Sequence, residues 1–183
     1  MNEPLRTLFV LRHAKSSWDD PGVGDHERPL APRGRRAALQ IAAYLRAQHI
    51  EPALVLCSSA RRTVQTLEAV ASGGRILIEP ELYAASASAL LARLRQVPDA
   101  APSVMLIGHN PGLQILVLAL AGDRPPGPTR DPTPAPEDRD RVAIANKFPT
   151  AALATLTLRG AWSDLRPGHA DLTGYVRPKD LPA

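Results

Sequence analysis

Two histidines in this chain stand directly after apolar runs. Leu8-Phe9-Val10-Leu11 leads into Arg12-His13, and Val104-Met105-Leu106-Ile107 leads through Gly108 into His109-Asn110-Pro111-Gly112. Runs of this kind read as buried strands that stop abruptly. A third apolar run, 53–57, stops at Ser58-Ser59 and is followed by Arg62. The ends of parallel strands share one edge of an open α/β sheet, and ligands bind along that edge. The pattern gathers Arg12, His13, Arg62 and His109 there, with Ser58, Ser59 and Asn110 nearby. Guanidinium forks match phosphate oxygens. Helix N-termini after Ser59 and after His109 would add N–H donors. An unprotonated His13 nitrogen could then attack phosphorus in line while Arg12, Arg62 and His109 hold the oxygens. Cationic neighbours would favour the unprotonated form.

The same residues have rival uses. A single histidine at a strand end is usually an ordinary polar residue; two, with two arginines at matching junctions, are harder to dismiss. Zinc would need a third or fourth ligand, for which His26, Asp19 and Asp25 could be proposed. No HExxH or CxxC spacing supports it, so no metal and no cofactor is expected. Walker A and GxGxxG motifs are absent from the sequence.

These junctions need elements to position them. Residues 7–12 read as the first strand, 16–32 as a long polar loop, and 30–49 as a helix opened by Pro32. Residues 53–57 form a short strand. The next helix runs to about Ala71, its start open to capping by Ser58 or Ser59. Gly73-Gly74 stops it. Residues 75–78 are a strand, and 86–96 a helix capped by Ser86 or Ser88. Residues 104–107 are a strand, followed by an apolar helix to about Ala121 that Gly122 ends. Residues 151–158 are β-like. After Gly160, residues 161–165 are expected to pair back antiparallel, with Tyr175-Val176 as a short edge strand. The expected fold is a three-layer α/β/α sandwich with a mostly parallel, mixed central sheet.

The chain has 183 residues, 44% of them hydrophobic. That suits one domain spanning 1–183 with a sizeable core. Residues 123–140 differ: six prolines, many charges and almost nothing apolar. They read as a proline-rich loop within the domain, a tolerated insertion rather than a boundary, though a Pro-x-x-Pro ligand is another use. The lone cysteine, Cys57, excludes an internal disulfide and fits a reducing cytoplasm. No leader and no membrane-spanning run is evident, so a cytoplasmic protein with no membrane partner is expected. Net charge is +4, with 22 basic residues, almost all arginine, against 18 acidic. Nucleic acid is not the expected partner, because aromatics are only 4% and do not interleave the basic cluster at Arg33, Arg35 and Arg36. A phosphorylated ligand suits scattered arginines better.

Leu11-Arg12-His13-Ala14-Lys15-Ser16 resembles the Arg-His-Gly signature of the histidine phosphatase superfamily, with Ala14 in place of glycine. Residues 58–66 are similar to its Ser-x-x-Arg-x-x-Gln-Thr segment, with Arg62 at the phosphate-binding arginine, and Gly108-His109-Asn110 to its second histidine motif. Arg12–Trp18, Asp25–Leu30, Arg33-Gly34, Gly108–Gly112 and Lys147–Thr150 together resemble the SixA-like phosphohistidine phosphatases. The resemblance implies a phosphoglycerate mutase-like fold and a metal-independent phosphatase. It also implies that His13 is the phosphorylated nucleophile and that Arg12, Arg62 and His109 hold the phosphoryl group. Ser16, Arg28, Ser59 and Asn110 are candidates for further substrate contacts. The superfamily's general-acid glutamate aligns with Ala84, leaving Glu81 and Asp25 as candidates, with Asp19, His26 and Glu27 behind them. A missing acid favours a labile phosphoryl compound, so phosphohistidine in a protein is the first expected substrate. A small phosphorylated metabolite, or a non-catalytic phosphoryl-binding role, are the alternatives. The loop at Asp25–Arg28 is expected to fold over the pocket.

Overall fold

The apolar run before His13 becomes a central strand, covered on both faces. The computed structural model describes residues 4–71, 73–122 and 136–182. The strand β1 (Leu5–Arg12) is followed by α1 (Pro32–Ala47), β2 (Leu54–Ser58), α2 (Arg61–Val70), β3 (Arg75–Glu79) and α3 (Ala87–Leu94). Then come β4 (Ser103–Gly108), α4 (Gly112–Ala121), α5 (Pro136–Asn146), β5 (Leu153–Arg159) and β6 (Asp171–Val176). The six strands lie in the order β3-β2-β4-β1-β5-β6. β1, β2, β3 and β4 pair in parallel, while β5 pairs antiparallel with both β1 and β6. The mixed, mostly parallel sheet and the α/β/α layering expected from the sequence are present.

Alternation along β1 divides the core. Leu8 and Val10 join Leu56, Leu106, Leu116, Leu120, Ile144 and Trp162 on one face. Phe9 and Leu11 join Cys57, Ile107, Ile41, Leu45 and Leu67 on the other, under α1 and α2. Burial of each such large side chain contributes about 1.5–3 kcal/mol. Both faces are covered, so the strands read as unbroken apolar runs. Cys57 lies in this core, and burial pushes its thiol up to about 12.

Three expectations are corrected. Residues 161–165 do not form a strand; Trp162–Asp164 is a 3-10 turn, and β6 is the partner of β5. Trp162 is the reason. Its ring is fully buried and its indole N–H donates to Ala101 O at 2.8 Å, which a flat strand pairing would not permit. Residues 136–140 of the proline-rich stretch are the first turns of α5, with Pro136 tolerated at the helix start; residues 123–135 lie outside the described residues. The serines before α2 do not cap it: Ala60 stands at the N-cap with no side-chain bond. Ser86 does cap α3, accepting from Ala89 N at 3.2 Å.

Gly34 fixes how α1 meets the loop after β1. A Cβ there would lie 2.0 Å from Lys15 O, two residues past His13. Gly34→Ala should cost about 1–3 kcal/mol in urea unfolding, because backbone must move. Gly24, with nothing within 4 Å of an added Cβ, is the control: Gly24→Ala should shift stability by less than about 0.5 kcal/mol. Equal effects at the two positions would refute the close-packing account.

Candidate active site

Register decides which strand ends meet. Arg12 of β1 lies opposite Gly108 of β4, and Cys57 of β2 lies opposite Ile107. The next residues, His13, Ser58 and His109, therefore leave the sheet along one edge. His13 N donates to Gly108 O at 3.1 Å, and the His13 and His109 rings stand 5.0 Å apart.

Hydrogen bonds set both imidazoles. His13 Nδ1 lies 2.7 Å from Ala14 O. A carbonyl only accepts, so Nδ1 carries the proton and Nε2 keeps its lone pair. Arg62 Nη2 lies 3.4 Å from His109 Nδ1, and His109 Nε2 lies 2.8 Å from Ser58 Oγ. A guanidinium only donates, so His109 Nδ1 is the acceptor and Nε2–H donates to Ser58. Burial pushes His13 down to about 3, helped by His109, Arg62 and Arg12 and opposed by the Ala14 carbonyl. Burial and then Arg62 push His109 down to about 4. Both rings are neutral at pH 7.

The arginines are held from opposite ends of the sequence. Arg12 Nη1 donates to Phe148 O at 2.8 Å, and its buried Nε has no hydrogen-bond partner among the described residues. Burial, then Arg62, lowers its pKa. Asn110 Nδ2 donates to the same Phe148 carbonyl at 3.0 Å. Arg62 is buried, and donates through Nη1 to Asp25 O and through Nη2 to Asp25 Oδ2 at 2.9 Å. Thr66 sits one helical turn beyond Arg62. Its hydroxyl donates to Arg62 O at 2.7 Å and accepts from Ala14 N at 3.0 Å, locking α2 to the end of β1. Gln65 Oε1 accepts from Leu30 N at 2.7 Å and so anchors the long loop.

That loop reaches the reactive edge through Asp25. Its Oδ1 accepts from Arg28 Nη1 at 2.8 Å, and its Oδ2 accepts from both Arg62 and the Tyr83 hydroxyl, the latter at 2.6 Å. The Tyr83 hydrogen bond first, then Arg62 and Arg28, hold Asp25 below the usual carboxylate range against its partial burial. Arg28 donates to Ser17 O at 3.0 Å and to Ser16 Oγ, and its guanidinium lies 3.2 Å over the Trp18 ring. Ser16 and Arg28 thus bond within the loop. Ser59 Oγ meets His26 Nε2 at 2.9 Å, and His26 Nδ1 meets Glu27 Oε1 at 2.6 Å. Glu81 is exposed in a 3-10 turn, outside this network. Among the described residues no cluster of three or more His, Cys, Asp or Glu side chains could hold a metal ion.

Tyr83 was not singled out from sequence, and Phe148 only within the Lys147–Thr150 resemblance, with no role of its own. Tyr83 stands edge-on to His26 at 4.9 Å and to His109 at 5.5 Å. Its signal was its place in the loop searched for an acid, in a chain with few aromatics. Phe148 acts through its carbonyl, which no side-chain pattern announces.

Residues 8–88 match the histidine phosphatase superfamily (branch 1). Phosphohistidine phosphatase SixA of Escherichia coli is 31% identical over 128 residues, 65% of this chain and 77% of that protein. The chain belongs to the histidine phosphatase superfamily. An uncharacterised Mycobacterium tuberculosis protein is 35% identical over 169 residues, 92% of this chain and all of the other. A Nakamurella multipartitia structure assigned to SixA superposes with TM-score 0.82 at 31% identity, covering 97% and 99% of the two chains. The structure of the protein histidine phosphatase SixA complexed with tungstate superposes with TM-score 0.72 at 25% identity, over 95% and 98%. This histidine phosphatase is of the SixA-like branch, with the phosphoglycerate mutase-like fold.

The two neutral histidines carry a stability signature. The unfolded chain binds protons at both as pH falls through about 6.5, while the folded phosphatase resists until about 4 and 3. Below pH 6.5 folding stability therefore drops as pH falls, by up to about 1.4 kcal/mol per pH unit for each ring, and above about pH 7 these groups contribute no slope. Urea unfolding between pH 7.5 and 4.5 should show a shallower decline for His13→Ala than for the wild type. Parallel declines would mean that His13 is not held neutral by the fold.

Proposed function

We propose that this phosphatase hydrolyses phosphohistidine in proteins through a phosphohistidine intermediate on His13. The carrying observation is the Ala14 carbonyl bond, which fixes the proton on Nδ1 and leaves Nε2 as a ready nucleophile. Nε2 attacks phosphorus in line. The bond from phosphorus to the substrate imidazole nitrogen breaks as the new P–N bond forms. Arg12, whose buried Nε lacks a partner among the described residues, and Arg62 supply N–H donors to the equatorial oxygens. A phosphoryl dianion would favour a proton on His109 Nδ1, so that His109 donates to an oxygen while Nε2–H stays on Ser58. Water then attacks phospho-His13, the second P–N bond breaks, and inorganic phosphate leaves with His13 restored.

The leaving group supports this substrate class. Asp25 is held as a carboxylate by Tyr83, Arg62 and Arg28, and Ala84 stands where the superfamily's glutamate would align. An alkoxide needs a proton as it leaves; a phosphohistidine already protonated on its second ring nitrogen departs as neutral imidazole and needs no acid from the enzyme. The names of the SixA relatives point the same way.

The test is phosphate release, with chelator present, from a phosphohistidine peptide, a phosphoserine peptide, 3-phosphoglycerate and an aryl phosphate. Fast release from phosphohistidine alone is expected. His13→Ala should abolish it and the acid-labile phosphoenzyme, while Arg62→Ala should lower kcat/KM about 10²–10³-fold. Turnover only of the small phosphates would keep the nucleophile and overturn the substrate.

A further inference from the structure

Beside the reactive edge lies a cleft of about 450 Å³ whose walls carry five cations: Lys15, Arg33, Arg36, Arg177 and Lys179. Of these five, only Arg177 is ion-paired among the described residues, donating to Asp180 Oδ2 at 2.6 Å and to Oδ1 at 3.0 Å. Asp140 is also close enough to act on Arg177. Lys15, Arg33, Arg36 and Lys179 have no ion pair among the described residues. Lys179 acts on the neighbouring Asp180, which leaves Lys15, Arg33 and Arg36 as three unanswered cations in a concavity, enough to raise the local concentration of anions.

The cleft shares its wall with the catalytic site. Lys15 follows His13 by two residues, and its carbonyl is the surface on which Gly34 packs. Thr150 lines the cleft two residues after Phe148, whose carbonyl holds Arg12. Ala151 N, next in sequence, lies 3.1 Å from both Arg12 O and His13 O. β6 runs parallel to β1, so Arg177 leaves the sheet at the same edge as His13. An anion seated here is next to a phosphoryl group seated on His13.

The form of the charge selects the ligand. The phosphoryl site uses buried guanidiniums fixed by hydrogen bonds. The cleft instead offers exposed Lys15, Arg33 and Arg36 on long stems, drawn from the end of β1 and the first turns of α1, with Lys179 from the turn after β6. No hydrogen bond or ion pair among the described residues fixes the side chains of Lys15, Arg33 and Arg36, unlike the braced guanidiniums of a built phosphate site. Dispersed cations match several carboxylates spread over a surface, and set encounter rate and partner choice. We propose that the cleft docks an acidic surface of the protein that carries the phosphohistidine, so that the substrate class is a phosphohistidine flanked by Asp and Glu; this rests on the substrate reading above.

The test uses the intact chain, the double variant Arg33→Glu/Arg36→Glu, and the control Arg75→Glu/Arg159→Glu. The control makes the same charge change at exposed arginines of β3 and β5, away from the cleft. KM is measured for phosphohistidine peptides with acidic and with basic flanks, and kcat/KM for phosphoramidate. Binding of an unphosphorylated polyglutamate peptide is followed by fluorescence anisotropy. Reversal in the cleft should raise KM for the acidic peptide by about tenfold or more, weaken polyglutamate equally and flatten its salt dependence, with phosphoramidate turnover kept. The control should change neither. Equal KM for acidic and basic peptides in the wild type, or equal effects of the two double variants, would overturn the proposal. Polyglutamate binding that depends on Arg33 and Arg36 without any phosphohistidine turnover would overturn the substrate reading and leave the acidic docking surface standing.

Discussion

Two guanidiniums and two imidazoles cannot share one sheet edge as four buried cations. The site answers this constraint in three ways. The histidines give up their protons, with His13 pushed down to about 3 and His109 to about 4. Arg12 donates to the Phe148 carbonyl, a neutral acceptor. Arg62 is matched by Asp25, which also takes Arg28 and Tyr83. The neutral histidines are what the proposed chemistry needs: a protonated His13 would have no lone pair to attack with. Burial first, and the neighbouring cations after it, keep both rings neutral, so the positive potential of the edge and an unprotonated His13 coexist.

Asp25 gives this arrangement its second property. A carboxylate on Arg62 resembles, in charge and shape, the anion that Arg62 is proposed to hold. A phosphoryl group competes for the same guanidinium and must shift this contact or share it. The loop at 25–28 is therefore tied to ligand through one ion pair, with Tyr83 and Arg28 as its other supports. Because Asp25 is half-exposed, the ion pair is screened and yields readily.

The parts legible in sequence were those whose signal lies in side chains of local pattern. β1, β2 and β4 are covered on both faces, so their apolar runs and the polar residues that end them stand out. Arg12, His13, Arg62 and His109 were readable for that reason. α5 was not: Ile144 is buried, but Val142 points outward, so the helix shows no apolar stripe. Ser58 and Ser59 read as helix caps, because local capping is their commonest use, yet they bond His109 and His26 across the sheet edge. Ala14 O and Phe148 O, which set the His13 tautomer and brace Arg12, are backbone atoms that every residue possesses. Only the fold decides which carbonyl is placed to matter.

The reversed direction of β5 carries a consequence for folding. Because β5 runs against β1, its approach, not its exit, delivers Phe148 to the reactive edge. The contact between Arg12 and Phe148 spans 136 residues of chain. Such a closure comes late, after loop entropy has been overcome by sheet pairing. During synthesis, the segment bearing Arg12 and His13 emerges long before Phe148, whose carbonyl braces Arg12. An unfinished chain that ends before Phe148 therefore holds Arg12 without the carbonyl that braces it.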